Sequence, residues 1–168
     1  MNLDFERKEE INYSIIIPHK NSTVLLERCL KSIPCRKDVQ VIVVDDNSEN
    51  QEELNAVVGG FSQVELILTQ GGGAGHARNE GLKYIRGKWV LFADADDFYN
   101  KNAFSILDNY INSDNDVIYF FANSLDVNTL LPTPREKDLQ NIYEKYDSDN
   151  IRSADYIRFK NWAPWNKM

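Results

Sequence analysis

Cysteine, histidine and methionine each occur only twice in 168 residues, and these scarcities close off several chemistries. Cys29 and Cys35 make neither a disulfide framework nor a zinc-ligand pattern, and Cys29 falls on a helical face as a small core residue. His19 and His76 each lack a second histidine at metal-ligating spacing, so each also reads as an ordinary loop or packing residue. Positive charge is in deficit: 19 Lys and Arg face 26 Asp and Glu, for a net charge of −7. That balance argues against a nucleic-acid surface, which needs clustered cations. An anionic ligand would need local help from a metal or a helix N-terminus. No apolar run approaches the roughly 20 residues that span a bilayer, and the charged start Met-Asn-Leu-Asp-Phe-Glu-Arg-Lys-Glu-Glu has no apolar h-region. The expected location is the cytoplasm, with peripheral attachment at the membrane left open and no transmembrane segment in this chain.

What is present alternates. A hydrophobic share of 42% and a charged share of 27% are ordinary for a soluble domain, and the length suits one domain with a sizeable core. Residues 1–12 read as a lead-in. Tyr13 to Ile17 is a β-branched run ended by Pro18, and Leu25, Leu26, Cys29, Leu30 and Ile33 recur at helical spacing until Pro34. Val39 to Val44 reads as a second strand, and Asn47-Ser48 with Gln51 resembles a capping box for a helix carrying Leu54, Val57 and Val58. Val64 to Leu68 makes a third strand. After Gly71 to Gly75 a helix runs through Ala77, Leu82 and Ile85 to near Gly87. Residues 88–93 make a fourth strand, Ala103 to Ile111 a helix, and Val117 to Phe121 a fifth strand. This alternation predicts an α/β fold: a mostly parallel open sheet with helices on both faces, over residues 13–125. Residues 126–168 lose the regularity, apart from a short helix near Ile151, Ala154 and Ile157. The closing Trp162 and Trp165 suggest a chain that continues.

Three strand ends meet at one sheet edge: Pro18-His19-Lys20-Asn21, Asp45-Asp46 and Asp94-Ala95-Asp96-Asp97. In open α/β sheets ligands sit outside the carboxyl ends of the strands. Neighbouring carboxylates repel, and a hard divalent ion held by one or two of them with substrate phosphates would relieve that. A solvated turn with an Asp helix cap is the plainer alternative. Carboxylates also accept from ribose hydroxyls and base N–H groups. The glycine run lets backbone approach a ligand, yet it lacks the GxGxxG spacing and also reads as a flexible loop. Arg78 offers a donor fork for phosphate or a carboxylate.

Taken in order, Ile15-Ile16-Ile17-Pro18 with Asn21, Val43-Val44-Asp45-Asp46-Asn47-Ser48, Ala77-Arg78-Asn79-x-Gly81 and Phe92-Ala93-Asp94-Ala95-Asp96-Asp97 resemble the successive motifs of family 2 glycosyltransferases of GT-A, Rossmann-like fold. Trp165 and Lys167 resemble the family's Trp-x-Lys segment. The resemblance implies a nucleotide-diphosphate sugar donor, a glycan or lipid-linked acceptor, inverting transfer, and a divalent metal, Mn or Mg. It implies that Asp46 contacts the base, that the loop of Pro18, His19 and Asn21 lines the same pocket beside Asp45, and that Arg78 is a conditional donor-site residue. Asp94, Ala95 and Asp96 then make the DXD motif for ribose and metal-diphosphate, with Asp97 sharing the metal.

Lys20 stands where an aromatic is common, Gly71 where an Asn is common and Gly75 where a Ser is common. The family's acceptor-activating acid follows the Trp-x-Lys segment, which places it beyond Met168. The expectation is therefore a chain that binds a nucleotide but transfers poorly or not at all. Two alternatives come from other classes. A phosphoacceptor receiver domain would want a Lys after the fifth strand, where residues 116–123 have none. A sugar nucleotidyltransferase would want a basic Gly-rich loop directly after the first strand.

Overall fold

The computed structural model describes residues 10–118, 123–126 and 128–135. The chain divides into two compact units, Met1–Asp114 and Asn115–Met168.

The first unit is built on a four-stranded parallel sheet, with β1 (Tyr13–His19), β2 (Val39–Asp45), β3 (Val64–Leu68) and β4 (Trp89–Phe92) in the order β3-β2-β1-β4. Helix α1 (Thr23–Ser32) links β1 to β2, α2 (Gln51–Val58) links β2 to β3, and α3 (Gly73–Gly81) links β3 to β4. Helix α4 (Ala103–Leu107) follows β4. The first three strands add in one direction, and the chain then crosses back to set β4 on the other side of β1. That reversal between β1 and β4 is where ligand crevices open in such sheets.

Strand periodicity sorts the core into two layers. Ile15, Ile17, Val41 and Val43 point to one face, where Leu26 and Leu30 of α1, Leu54 of α2 and Phe104 of α4 pack on them. Ile16, Ile42 and Val44 point to the other face, against Ala77 of α3. Burial on both faces explains why β1 and β2 read as unbroken apolar runs. Phe104 meets Tyr13 edge-on with ring centroids 5.8 Å apart, a geometry aromatic quadrupoles favour.

Three expectations change in detail. Pro18 does not end β1, which continues to His19. Alternate β1 residues turn their backbone groups to β2 and to β4. The His19 carbonyl serves the β2 side, accepting from Asp46 N–H, and the Ile16 carbonyl the β4 side, accepting from Ala93 N–H. Pro18 therefore faces the β4 side, where pairing stops at Ile16 and Phe92, and its missing N–H breaks no strand bond. Second, α3 stops at Gly81, and Leu82–Tyr84 form a 3-10 turn. A Cβ on Gly81 would lie 2.7 Å from Ile16 Cγ2, so the helix rests on the sheet there, while Leu82 and Ile85 are exposed. Third, α4 gives way to a 3-10 turn at Asp108–Tyr110 instead of running on as helix. Of the expected fifth strand, Val117 and Ile118 are not in a strand, and residues 119–122 lie outside the described residues. The helix near Ile151 and the Trp165-Asn166-Lys167 segment lie outside them as well, as does most of the lead-in.

In the second unit an antiparallel bridge joins Leu125 to Pro132, closed by a turn in which Asp126 Oδ1 accepts from the N–H groups of Asn128 and Thr129.

Candidate active site at the carboxyl edge of the sheet

His19 closes β1 and Asp45 closes β2, side by side in register. Both are buried. Ser22 N–H donates to His19 Nε2 at 3.1 Å, so that nitrogen carries no proton, and Nδ1–H donates to Asp45 Oδ1 at 2.9 Å. The ring is a neutral imidazole of assigned tautomer, with both nitrogens spent. Asp45 also accepts from Ser48 N–H at 2.9 Å, from Ser48 Oγ, and from Gln51 Nε2 at 2.8 Å. Desolvation works against its charge, but the bonds from Ser48, Gln51 and His19 win and hold its carboxyl below the usual range. The turn after β2 thus differs from the expected capping box. Asn50 caps α2 by accepting Glu53 N–H at 3.1 Å, while Ser48 and Gln51 reach back to Asp45.

Asn21 and Asn47 both hold left-handed backbone, φ 51° and 63°, which Asn tolerates better than most residues. Asn21 N–H donates to Ser48 Oγ and its Oδ1 accepts from Glu49 N–H, each at 2.9 Å. The loops after β1 and β2 are clasped together, with Pro18 buried behind them.

Asp46 stands above this clasp. It is 6% exposed, and Gly73 N–H, at the start of α3, bisects its carboxylate at 3.0 and 3.1 Å. An acid at a helix N-terminus is stabilised by the partial positive charge there. Lys20 Nζ lies 3.7 Å from Asp46 Oδ2. Farther along the same helix, Arg78 donates through Nη2 to Asp94 Oδ1 in a close ion pair. One helix therefore grips both acids, at positions five residues apart, or about 7.5 Å of helical rise.

The acidic segment after β4 folds as a turn closed by Asp97 N–H to Asp94 O at 2.9 Å. Ala93 and Ala95 are buried and belong to the core. The alternation turns Asp94 and Asp96 away from it. Arg28 of α1 donates to the Asp96 carbonyl at 2.6 Å and lies over the Phe98 ring. Asp97 borders solvent as a residue, yet desolvation of its carboxyl, followed by the charges of Asp96 and Asp94, pushes it up to about 6. Among the described residues no three His, Cys, Asp or Glu side chains gather as a metal-holding set. The donors offered are hard carboxylate oxygens whose mutual repulsion a cation would relieve. Such a set fits a Mg-like or Mn-like ion held by one or two carboxylates, with the remaining ligands from a phosphate and water.

The strand-end residues singled out from the sequence thus lie at this edge, in two tiers. Arg78, Asp94 and Asp96 border solvent there with Lys20, while Asp46 and the desolvated carboxyl of Asp97 are largely covered. Pro18, His19, Asp45 and Ala95 form the wall behind, and Asn21 is the clasp. No spacing signals Arg28 and Gly73 as partners of these acids, because they act across the fold, one through a long side chain and the other through a backbone N–H; Ser22 N–H instead reaches His19 three residues back.

Residues 14–162 match the family described as Glycosyl transferase family 2. The chain is 34% identical over 98 residues to a poly(ribitol-phosphate) beta-glucosyltransferase of Bacillus spizizenii, covering 54% of this chain and 16% of that protein. It is 38% identical over 106 residues to the poly(ribitol-phosphate) beta-N-acetylglucosaminyltransferase TarS of Staphylococcus aureus, covering 55% of this chain and 18% of that one. The crystal structure of S. aureus TarS 1-349 superimposes with a TM-score of 0.54 at 28% identity, over 60% of this chain and 32% of that chain. The chain therefore matches less than a fifth of the length of these two curated relatives. The parallel sheet, its helices and this likeness together give an α/β fold of the GT-A type.

Proposed function

Because the chain belongs to glycosyl transferase family 2, we propose that the carboxyl edge of its sheet binds a nucleotide-diphosphate sugar and serves inverting transfer of the sugar to a glycan or lipid-linked acceptor. The observation that carries this reading is the double grip of α3, with Gly73 N–H on Asp46 and Arg78 on Asp94. It holds two carboxylates at the carboxyl edge of the sheet, where a nucleoside and a diphosphate would find acceptors suited to each. The relatives' names, one a glucosyl- and one an N-acetylglucosaminyltransferase, favour a hexose-type donor.

The residues divide the work by chemistry. Asp46 accepts from a base N–H, with Lys20 beside it as a donor. Asp94 accepts from ribose hydroxyls, and Arg78 supplies a planar fork for diphosphate oxygens. Asp96, with Asp94 and Asp97, would hold a divalent ion, Mn or Mg. When bound, that ion supplies positive charge to offset what builds on the departing nucleoside diphosphate. His19, Asp45 and Asn21 act from behind by fixing the loops. In the transfer itself an acceptor oxygen forms the new bond to the anomeric carbon as the bond to the diphosphate oxygen breaks on the opposite side, and the acceptor's proton passes to a general base.

The test is titration calorimetry of the 168-residue chain with UDP and with GDP, each with and without Mn. Binding of one nucleotide, strengthened by Mn, is the expected result. A folded chain that takes up neither nucleotide under either condition overturns the reading.

A further inference from the structure

Arg78 does more than wait for a phosphate. Its guanidinium already occupies Asp94 Oδ1, one of the oxygens that the proposed metal-diphosphate would use. The pair is about one-third open to solvent, 27% and 37% for the two side chains, so it can exchange partners with a ligand arriving from solvent. The guanidinium is also only partly satisfied. Its Nε is buried and has no hydrogen-bond partner, although a buried N–H is costly to leave unpaired. Meanwhile Asp96 and Asp97 lie beside Asp94 with their charges crowded.

Granted the donor site proposed above, we infer that Arg78 is the internal counter-ion of the acidic turn, competing with a bare divalent cation for Asp94 and yielding that carboxylate only when a nucleoside diphosphate offers the guanidinium phosphate oxygens instead. A cation arriving alone must displace Arg78 from Asp94 and brings it no new acceptor in exchange. A cation arriving with a diphosphate displaces it onto new acceptors. Arg78 therefore opposes metal binding in the absence of nucleotide and favours it in its presence. The two ligands become coupled through one side chain, and the site is biased against loading with metal alone. A ligand shifts such a balance only through its differential affinity for the two arrangements, which here is the diphosphate's affinity for the released guanidinium.

The experiment measures Mn binding to the 168-residue chain without nucleotide, by loss of the free-ion signal in electron paramagnetic resonance, and UDP and GDP binding in the presence of Mn by calorimetry. The variants are Arg78→Gln, which removes the charge, and Arg78→Lys, which keeps a cation but loses the fork. Arg78→Gln is expected to bind Mn alone about fivefold more tightly than the unaltered chain, on the scale of a part-exposed ion pair removed. It is expected to bind the nucleotide with Mn about tenfold more weakly, the scale of one charge-assisted contact. Arg78→Lys should keep Mn-alone binding within about twofold of the unaltered chain, since the opposing charge remains. Circular dichroism checks that the variants are folded, and should Arg78→Gln fail to fold, Arg78→Met, which also removes the charge, takes its place with the same expected and overturning results. Mn-alone binding by Arg78→Gln that is unchanged or weaker overturns the inference. If the unaltered chain binds neither nucleotide, the donor reading falls, whereas tighter Mn binding by Arg78→Gln would still support the competition for Asp94.

Discussion

The imidazole of His19 donates through Nδ1 to Asp45 Oδ1 at 2.9 Å and accepts the Ser22 N–H at Nε2, joining the ends of β1 and β2 to the start of α1 in one buried network. His19→Phe preserves much of the volume and removes both bonds. It leaves a buried carboxylate short of a donor and a backbone N–H unpaired, so a loss of about 2–4 kcal/mol is expected, read as a lower urea midpoint at unchanged slope. An unaltered midpoint would show that the network contributes little.

Asp46→Asn separates charge from shape. The amide oxygen can still accept Gly73 N–H, but the negative charge at the start of α3 is lost, so stability should fall by only about 1 kcal/mol. Nucleotide affinity should drop about tenfold, since a charge-assisted bond to the base becomes a neutral one. Calorimetry and thermal melting on the same sample check both halves, and equal affinity for variant and parent would remove Asp46 from the ligand's contacts.

Two glycines are expected to respond oppositely to alanine. At Gly87 a Cβ would fall 2.4 Å from Ser14 N and 2.6 Å from the Tyr13 carbonyl carbon, backbone atoms that have nowhere to go. Gly87→Ala should cost about 2 kcal/mol or more. Gly75 lies inside α3 with nothing within 4 Å of the added carbon, and Gly75→Ala should stabilise by about 0.5–1 kcal/mol. Chemical denaturation of the pair would expose an error in either sign.

Acid sensitivity should trace in part to Asp38. Hydrogen bonds from Arg36, against desolvation and aided by Asn12, lower its carboxyl to about 2. Its folded value lies below its unfolded value. The stability it contributes is therefore present above about pH 4 and is lost as pH falls through about 2. Asp38→Asn should be less stable than the parent by on the order of 1–2 kcal/mol at pH 7, and the gap should close towards pH 2. A gap that stays constant across pH 7 to 2 would assign the effect to something other than this carboxylate.

The first four strands and most of the helices were legible because burial on one or both sides of a sheet leaves a period in the sequence. Ile15 to Ile17 and Val41 to Val44 show it plainly, and the acids that follow mark the carboxyl edge of the sheet. The end of α3 was not legible. Leu82 and Ile85 continue the apolar rhythm, yet the chain tightens into a 3-10 turn directly after Gly81, which packs on Ile16 across the fold, a contact no local pattern records. The two-tier division of the site was hidden for the same reason. Asp45 and Asp46 are neighbours of identical chemistry. Only the strand's alternation separates them, giving the first to His19 and the second to Gly73 at the start of α3.

The place of β4 in the sheet has a consequence for the order of assembly. β1 pairs with β2 through residues 26 apart, as in Tyr13 with Val39, and with β4 through residues 76 apart, as in Tyr13 with Trp89. On loop-closure entropy alone the longer connection costs about 1 kcal/mol more, so the strand that delivers Asp94 to Asp97 is the last to dock and the first to open. Native-state hydrogen exchange should find the amides of β4 less protected than those of β1 and β2. The proposed donor site then exists as a whole only in the final, most cooperative state of the chain, and a ligand bridging Asp46 and Asp94 would hold that last strand shut.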